Sequence, residues 1–413
     1  MNDFKVEGHI FEEINPDSVT ETDIVAGIFT YNDKTDLPLA MLKTSGGIER
    51  YYPDLKGVLI NLDSHSEDGT RELFLETPTS IPKIYLSTSP DEKFKKFSFF
   101  NLINIAHRLN AKVVLFFEAR ITTIKKTWVP RLADPILKNG AILTSPIYSR
   151  QFFDMPTTFL LSYPMFRAVF GRRVRCPHLG DMAISQTLNE RLFHNIWPKE
   201  NGYPACELAT LALAVSTGPV YQSFMADPRV GKNRLPINIG MAEEFFQILH
   251  SFYELMIQYE SFWIKLKNSR PTPIMGTDLK PEILPPRELI DSPTAFQSAI
   301  QNGAKEAVDI WKEFFPNHLE LIESLKSASL DHLDVPLKEW VELIYLGAAA
   351  YKRLPEEDGK KLIYSLVSPF LVRLFNFKKL ASTLPSGQLS ALLEGDAMVF
   401  EKMKPLLVNA WTK

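Results

Sequence analysis

The chain has 413 residues, 45% of them hydrophobic and 23% charged, a globular composition long enough for two domains of roughly 100–200 residues each. A formal charge of −3 and a pI near 6.3 exclude a nucleic-acid binder that relies on a general basic surface, so any anion site must be local. The opening stretch MNDFKVEGHIFEEINPD has neither a basic leader nor an apolar core, and apolar runs such as LATLALAV fall short of the roughly 20 residues that span a bilayer. Cys176 and Cys206 are too few for a disulfide framework or a structural zinc site, which fits a reducing compartment. A soluble, cytoplasmic protein is expected.

The first 240 residues alternate short apolar strands with helical patterns, the mark of an α/β sheet. DIVAGIFTYND (23–33) reads as a first strand ending in Tyr31, Asn32 and Asp33. GVLINLDSHSEDGT (57–70) reads as a second strand closed by Asp63, followed by a turn on Asp68-Gly69 in which Thr70 caps a helix beginning at Arg71. PKIYLST (82–88) reads as a third strand, and the helix FNLINIAHRL (100–109) leads into KVVLFFEARITT. The run Val113 to Phe117 within it is short, apolar and rich in β-branched and aromatic residues, which predicts a central strand buried on both faces. AILTSPIY (141–148) is a further strand.

Beyond Gly240 the pattern changes to long amphipathic helices over 241–267, 296–329, 337–353, 357–378 and 387–411. Residues 269–293 carry six prolines and no helical period and read as an extended connection. The expected organisation is an α/β domain over 1–240 and an all-α domain over 241–413, the latter offering a surface for homo-oligomerisation.

In open α/β sheets ligands bind outside the carboxyl ends of the strands, which directs attention to Tyr31, Asn32, Asp33, Asp63 and the Glu118-Ala119-Arg120 end of the central strand. Glu118 and Arg120, two apart on an extended segment, share a face, so they either pair with each other or turn Arg120 toward an anion with Lys95 and Lys96. FGRRVRCPHLGDMAIS gathers Arg172, Arg173 and Arg175 within four positions, either solvated charge or a carboxylate or phosphate site, with His178 an exposed ring or a candidate base beside Gly180 and Asp181. In GYPACELATLALAVSTG, Glu207 lies in the first turn of a helix, where the macrodipole favours an acid. His65, between Ser64 and Ser66, sits in the turn after the second strand.

The order IVAGIFTYND, YYPDLKGVLINLDSHSEDGTRE, KVVLFFEARITTIKKTWVPRL, FGRRVRCPHLGDMAIS resembles the GT-A fold glycosyltransferases, nearest to the bacterial group of mannosylglycerate and glucosylglycerate synthases, over residues 23 to about 245. The helical tail is similar to that group's carboxyl-terminal domain. The resemblance implies a GT-A, nucleotide-diphospho-sugar transferase domain with a mostly parallel sheet. It further implies retaining transfer of a hexose from a nucleotide sugar to a small anionic acceptor such as glycerate or phosphoglycerate. It assigns Tyr31, Asn32, Asp33 and Asp63 to the nucleoside, Lys95 to the diphosphate, Gly180 and Asp181 to sugar and acceptor, and Glu207 to the acid near the acceptor hydroxyl.

Three features of that group are changed. Its Gly-Lys-Gly loop is Phe94-Lys95-Lys96, its metal-binding Asp-x-Asp is Glu118-Ala119-Arg120, and its late histidine has no counterpart, since none occurs between His194 and His250. Glu118 is the one hard oxygen ligand kept, so neither magnesium nor manganese is expected as a cofactor unless the altered site still binds one. Two functions follow from this pattern: a hexosyltransferase working without the metal, and a catalytically silent relative that binds through the same cleft.

Overall fold

The computed structural model describes residues 5–92, 95–149, 156–178, 180–195, 197, 203–231, 237–280, 293–327 and 329–413. They form two compact units. The first gathers the described residues within 1–150, 178–233 and 272–284, the second those within 151–177, 234–271 and 285–413. The chain therefore passes between units more than once, where the sequence pattern suggests a single boundary near residue 240.

The first unit begins with β1 (Glu12–Ile14), β2 (Ile24–Thr30), α1 (Leu37–Tyr51), β3 (Gly57–Asp63), α2 (Thr70–Glu76), β4 (Lys83–Ser87), α3 (Lys95–Arg108), β5 (Val113–Glu118), α4 (Trp128–Asn139) and β6 (Leu143–Ser149). After α5 (Tyr163–Phe170) and β7 (Arg172–Arg173) of the second unit it resumes with β8 (Met182–Ser185), α6 (Gln186–Phe193), α7 (Tyr203–Thr217) and β9 (Val220–Pro228). The second unit then contributes α8 (Ile237–Gln258), α9 (Glu260–Trp263) and β10 (Arg270–Pro271) before β11 (Ile274–Met275) returns to the first.

Among the described residues the first unit holds one nine-stranded sheet, ordered β1-β4-β3-β2-β5-β8-β6-β9-β11. β4, β3, β2 and β5 are parallel, as are β6, β9 and β11, while β1 and β8 run antiparallel to their neighbours. The expected α/β class with a mostly parallel sheet is the one observed. Val113 to Phe117 is the expected central strand, each side chain fully buried. Its two faces explain why the run is apolar throughout. Val113, Leu115 and Phe117 join Leu37 and Met41 of α1 and Trp128 and Leu132 of α4 in one core, while Phe116 packs on Phe29 and on Phe99 of α3, with ring centres 6.2 and 5.5 Å away.

Several local expectations are corrected. The helix read over 100–109 begins at Lys95. Thr70 does not cap α2: Gly69, at φ +85°, precedes the helix, and the Thr70 hydroxyl accepts from the Asp33 N–H and donates to Asp68. β1, β8, β9 and β11 were not marked by apolar alternation, being short or rich in polar residues.

Among the described residues the second unit is helical apart from the two-residue β7–β10 pair, and continues through α10 (Pro293–Phe314), α11 (Leu319–Leu325), α12 (Leu337–Tyr351), α13 (Glu356–Ser365), α14 (Val367–Thr383) and α15 (Ser386–Thr412). Three helices expected to be continuous are broken, at Tyr259, at Phe315-Pro316 and at Leu366. At the second break the proline lacks the N–H that the helix ladder requires. Residues 281–292 of the proline-rich connection lie outside the described residues. The core is aromatic: Phe245 stacks on Phe370 at 4.3 Å, and the buried polar tips of Trp340 and Tyr253 donate to the carbonyls of Leu160 and Ile344 at 3.1 and 2.8 Å. Among the described residues no helix is long and apolar enough to cross a membrane.

Lys404 on α15 is buried in this unit. Its ammonium donates to the carbonyls of Val169, in the last turn of α5, and Trp263, at the end of α9, at 3.2 and 2.9 Å, an arrangement that satisfies two helix C-termini. Burial lowers its pKa to about 8 against the opposing pull of Glu401. The unfolded chain then binds the extra proton between about 8 and the ordinary lysine value near 10.4, so folding is favoured as the pH rises through that window. Urea denaturation should show wild type gaining on Lys404→Met from pH 8 to 10 by at most about 1.4 kcal/mol per pH unit. A gap constant over that range would mean the lysine titrates normally.

Candidate functional site

From β2 the chain steps outward through β3 and β4, then returns to place β5 on the other side of β2. Strand order thus reverses between β2 and β5, the switch point where open α/β sheets leave a crevice. The register pairs Thr30 with Asp63 and Phe29 with Glu118, which levels three strand ends. A cavity of about 150 Å³ lies there, lined by Phe29, Thr30, Tyr31, Asp33, Ser64, Lys95, Glu118 and Arg120.

One side of it is built by two strand-end turns locked together. Asn32 takes a left-handed φ of +53°, its N–H donating to Ser66 Oγ and its side-chain carbonyl accepting from the Glu67 N–H, both at 2.8 Å. The Lys34 N–H donates to Asp68 at 3.0 Å. Asp63 is buried, and its carboxylate accepts from Thr30 Oγ1 (3.0 Å), the Ser66 N–H (3.1 Å), Ser66 Oγ and the Tyr85 hydroxyl (2.8 Å). Those four bonds use the approximate acceptor capacity of an ionised carboxylate, so Asp63 braces the turn from within. Burial and the Asp63 charge push the Tyr85 hydroxyl pKa up, which keeps it a donor. Asp33, also buried, accepts from the Tyr31 N–H at 2.9 Å and pairs with Arg120 Nε at 3.2 Å.

The β5 end carries the dominant charge cluster. Glu118 Oε1 is paired with Lys95 Nζ, and Glu118 Oε2 with an Arg229 terminal nitrogen at 3.0 Å. Arg229 Nε donates to Asp181 Oδ2, which also accepts from the Tyr148 hydroxyl at 2.8 Å. Asp181 is buried, and its Oδ1 has no hydrogen-bond partner among the described residues. Burial would push the Glu118 carboxyl up, but Lys95 and Arg229 outweigh it and hold the group well below the usual carboxylate range. Burial likewise disfavours the Arg229 charge, and Asp181 and Glu118 more than restore it. Of the two alternatives for Glu118 and Arg120, the mutual pair is corrected: Arg120 is bound to Asp33, and the cations on Glu118 are Lys95 and Arg229.

This donor set does not fit a divalent metal. Both Glu118 oxygens already face cations, and the one guanidinium between Glu118 and Asp181 opposes a third positive charge there. Among the described residues no group of three or more His, Cys, Asp or Glu side chains is placed to hold a metal ion.

The remaining candidates are scattered. Arg172, Arg173 and Arg175 belong to the second unit, where Arg173 Nε donates to Ser269 Oγ at 3.0 Å and Arg175 to Ser390 Oγ at 3.3 Å. His178 is buried and Gly180 and Asp181 follow it in the first unit. Glu207 is buried in the second turn of α7, so the first-turn macrodipole account does not apply. His65 adopts φ +60° and meets the Phe11 ring edge-on at 6.3 Å. The residue missed by sequence reasoning is Arg229. Its signal lies in ADPRVGK (226–232), within the stretch that lacks a histidine and holds cations instead.

The sheet order defines an open α/β architecture with a crevice at its switch point. Neither family models nor curated proteins match the sequence. Solved structures with a similar fold include glucosyl-3-phosphoglycerate synthase. The Mycobacterium tuberculosis enzyme in complex with Mn²⁺, UDP and glucosyl-3-phosphoglycerate has 19% identity and a TM-score of 0.43, over 57% of this chain and 80% of that one. The same enzyme with Mn²⁺, UDP-glucose and glycerol 3-phosphate has 20% identity and a TM-score of 0.42, with the same coverage. A mycobacterial protein matches at 16% identity and a TM-score of 0.43, over 57% of this chain and 74% of that one.

Gly180 shows how tightly the cluster is built. It sits at φ +81°, and a β-carbon on it would lie 2.7 Å from Glu118 Oε1. Gly180→Ala is expected to cost about 1–3 kcal/mol in chemical denaturation, an unchanged midpoint showing that the loop absorbs the methyl group. Glu118→Gln removes the shared counter-ion of two cations and is expected to cost about 1–3 kcal/mol at neutral pH. Since the folded carboxyl is held low, that advantage is full above the ordinary glutamate value near 4.3 and lost as the pH falls through the lowered folded value. Wild type and Glu118→Gln should therefore converge in strong acid, and a gap as wide at pH 2 as at pH 7 would contradict the assignment.

Proposed function

We infer that the first unit binds a nucleotide sugar at the switch-point cavity and that the protein transfers its hexose, with retention, to a small anionic acceptor such as glycerate or phosphoglycerate in the cytoplasm. The observation that carries this reading is a cavity at the carboxyl ends of β2, β3 and β5 with Lys95 and Arg120 in its walls. Lys95 also opens α3, whose amino end favours an anion. The four sequence motifs supply the substrate class. Tyr31, partly exposed at the rim, offers a ring to the nucleoside, and Arg120 offers a guanidinium to the diphosphate.

A second reading, a catalytically silent module that binds through this cleft, is favoured by a different observation. Glu118, Asp33 and Asp63 are already engaged by the protein's own donors, and the cavity, about 150 Å³, is smaller than the roughly 300–1,000 Å³ of ligand pockets. A ligand must then displace side chains to enter.

Thermal unfolding with UDP-, GDP- and ADP-hexoses, followed by chromatography of mixtures containing glycerate or phosphoglycerate, separates the two. A ligand at 100 times its Kd adds about 2.7 kcal/mol to the native state, readily seen as a raised Tm. Stabilisation together with a glycosylated product is the expected result. Stabilisation without product establishes the silent module, and no shift with any nucleotide sugar at millimolar concentration removes both.

A further inference from the structure

The charge cluster on Glu118 carries one inference beyond the cavity's ligand class, and it rests on the nucleotide-sugar reading above. Arg229 makes two of the five hydrogen bonds a guanidinium can donate, Nε to Asp181 Oδ2 and one terminal nitrogen to Glu118 Oε2. Its side chain is 14% exposed and is held from behind by a carboxylate that Tyr148 fixes in turn. Among the described residues its three other N–H groups have no hydrogen-bond partner, and Arg229 adjoins the cavity through Glu118, one of the residues that line it.

Lys95 reaches the same Glu118 from the cavity wall while lying 5.2 Å over the Phe29 ring. The ring face favours the ammonium without neutralising it. Glu118 and Asp181 together carry two negative charges, and Arg229 and Lys95 carry two positive ones. The sum is zero, the balance that two carboxylates and a divalent cation would reach.

We propose that Arg229, fixed between Asp181 and Glu118 and joined by Lys95, occupies the electrostatic place of a divalent metal, so that a phosphate-bearing ligand binds at this cavity independently of metal. Guanidinium suits that task because it is planar, permanently charged and able to bind phosphate oxygens in pairs. Unlike a bound ion, it neither dissociates nor depends on the supply of metal. Glu118 and Asp181 serve as its positioning residues.

Calorimetric titration of UDP into the full chain, in EDTA and again in excess Mn²⁺, tests this, with Arg229→Ala and Arg229→Lys beside wild type. Wild type should bind UDP in EDTA, and Mn²⁺ should change its Kd by less than about threefold. Arg229→Ala should bind at least about tenfold more weakly in EDTA, and Mn²⁺ should recover part of the loss, because the variant frees one Glu118 oxygen and leaves the Asp181 carboxylate without its cation. Arg229→Lys, which keeps the charge and loses the fork, should fall between them. A purely structural role would lower affinity without creating a response to Mn²⁺. Should Arg229→Ala not fold, the wild-type comparison and Arg229→Lys still decide. Wild-type binding that appears only with Mn²⁺ would overturn the proposal while leaving the nucleotide-sugar reading intact, as would undiminished binding by Arg229→Ala in EDTA. No binding of UDP by wild type under either condition, nor of GDP or ADP titrated in the same way, would overturn both.

Discussion

A single guanidinium ties together three strands of the first unit. Arg229 follows β9, Asp181 precedes β8 and Glu118 ends β5, and the arginine bonds to both acids at once. Taking such groups out of water costs more than any one pair returns, and the arrangement holds because each charge has an opposite one within bonding distance. Gly180 follows from the same constraint, since a side chain there would collide with Glu118. So does Lys95, whose ammonium balances the second glutamate oxygen. Replacing any one member leaves the others buried or half-buried with an unmatched charge.

The opposite side of the cavity is organised differently. The turns after β2 and β3 are joined by neutral and charge-assisted hydrogen bonds, with Asp63 at the centre and Asp33 paired outward to Arg120. The acids on both sides therefore act first as counter-ions and acceptors within the protein. Asp33 and Glu118 line the cavity in that engaged state, beside Phe29, Lys95 and Arg120. A ligand that enters exchanges these internal bonds for its own.

The sequence exposes some of this and hides the rest for identifiable reasons. Val113 to Phe117 was legible because burial on two faces leaves no polar alternation, and the strand ends were legible because their polar residues mark where the crevice must lie. Partner choice was not legible. Glu118 and Arg120 would share a face if the strand continued, but the chain turns at Ala119 and Arg120, and the two-residue periodicity ends with it. Arg229 lies 111 positions from Glu118, a distance over which no local pattern speaks. The Arg172–Arg175 run is equally silent: composition shows a basic cluster, and only the packing assigns it to the second unit.

The antiparallel course of β8 has a consequence for how this architecture can vary. In a wholly parallel sheet every residue at the crevice comes after a strand, so chain added ahead of a strand falls at the far edge, away from ligand. β8 reverses that rule between β5 and β6, and it is the approach to the strand, Gly180-Asp181, that meets Glu118 and Arg229. Insertions ahead of β3 or β5 are thus remote from the charge cluster, whereas lengthening the segment that enters β8 by even one residue would move a buried carboxylate out of register with its cation. Tolerance to change in chain length is therefore set strand by strand according to direction.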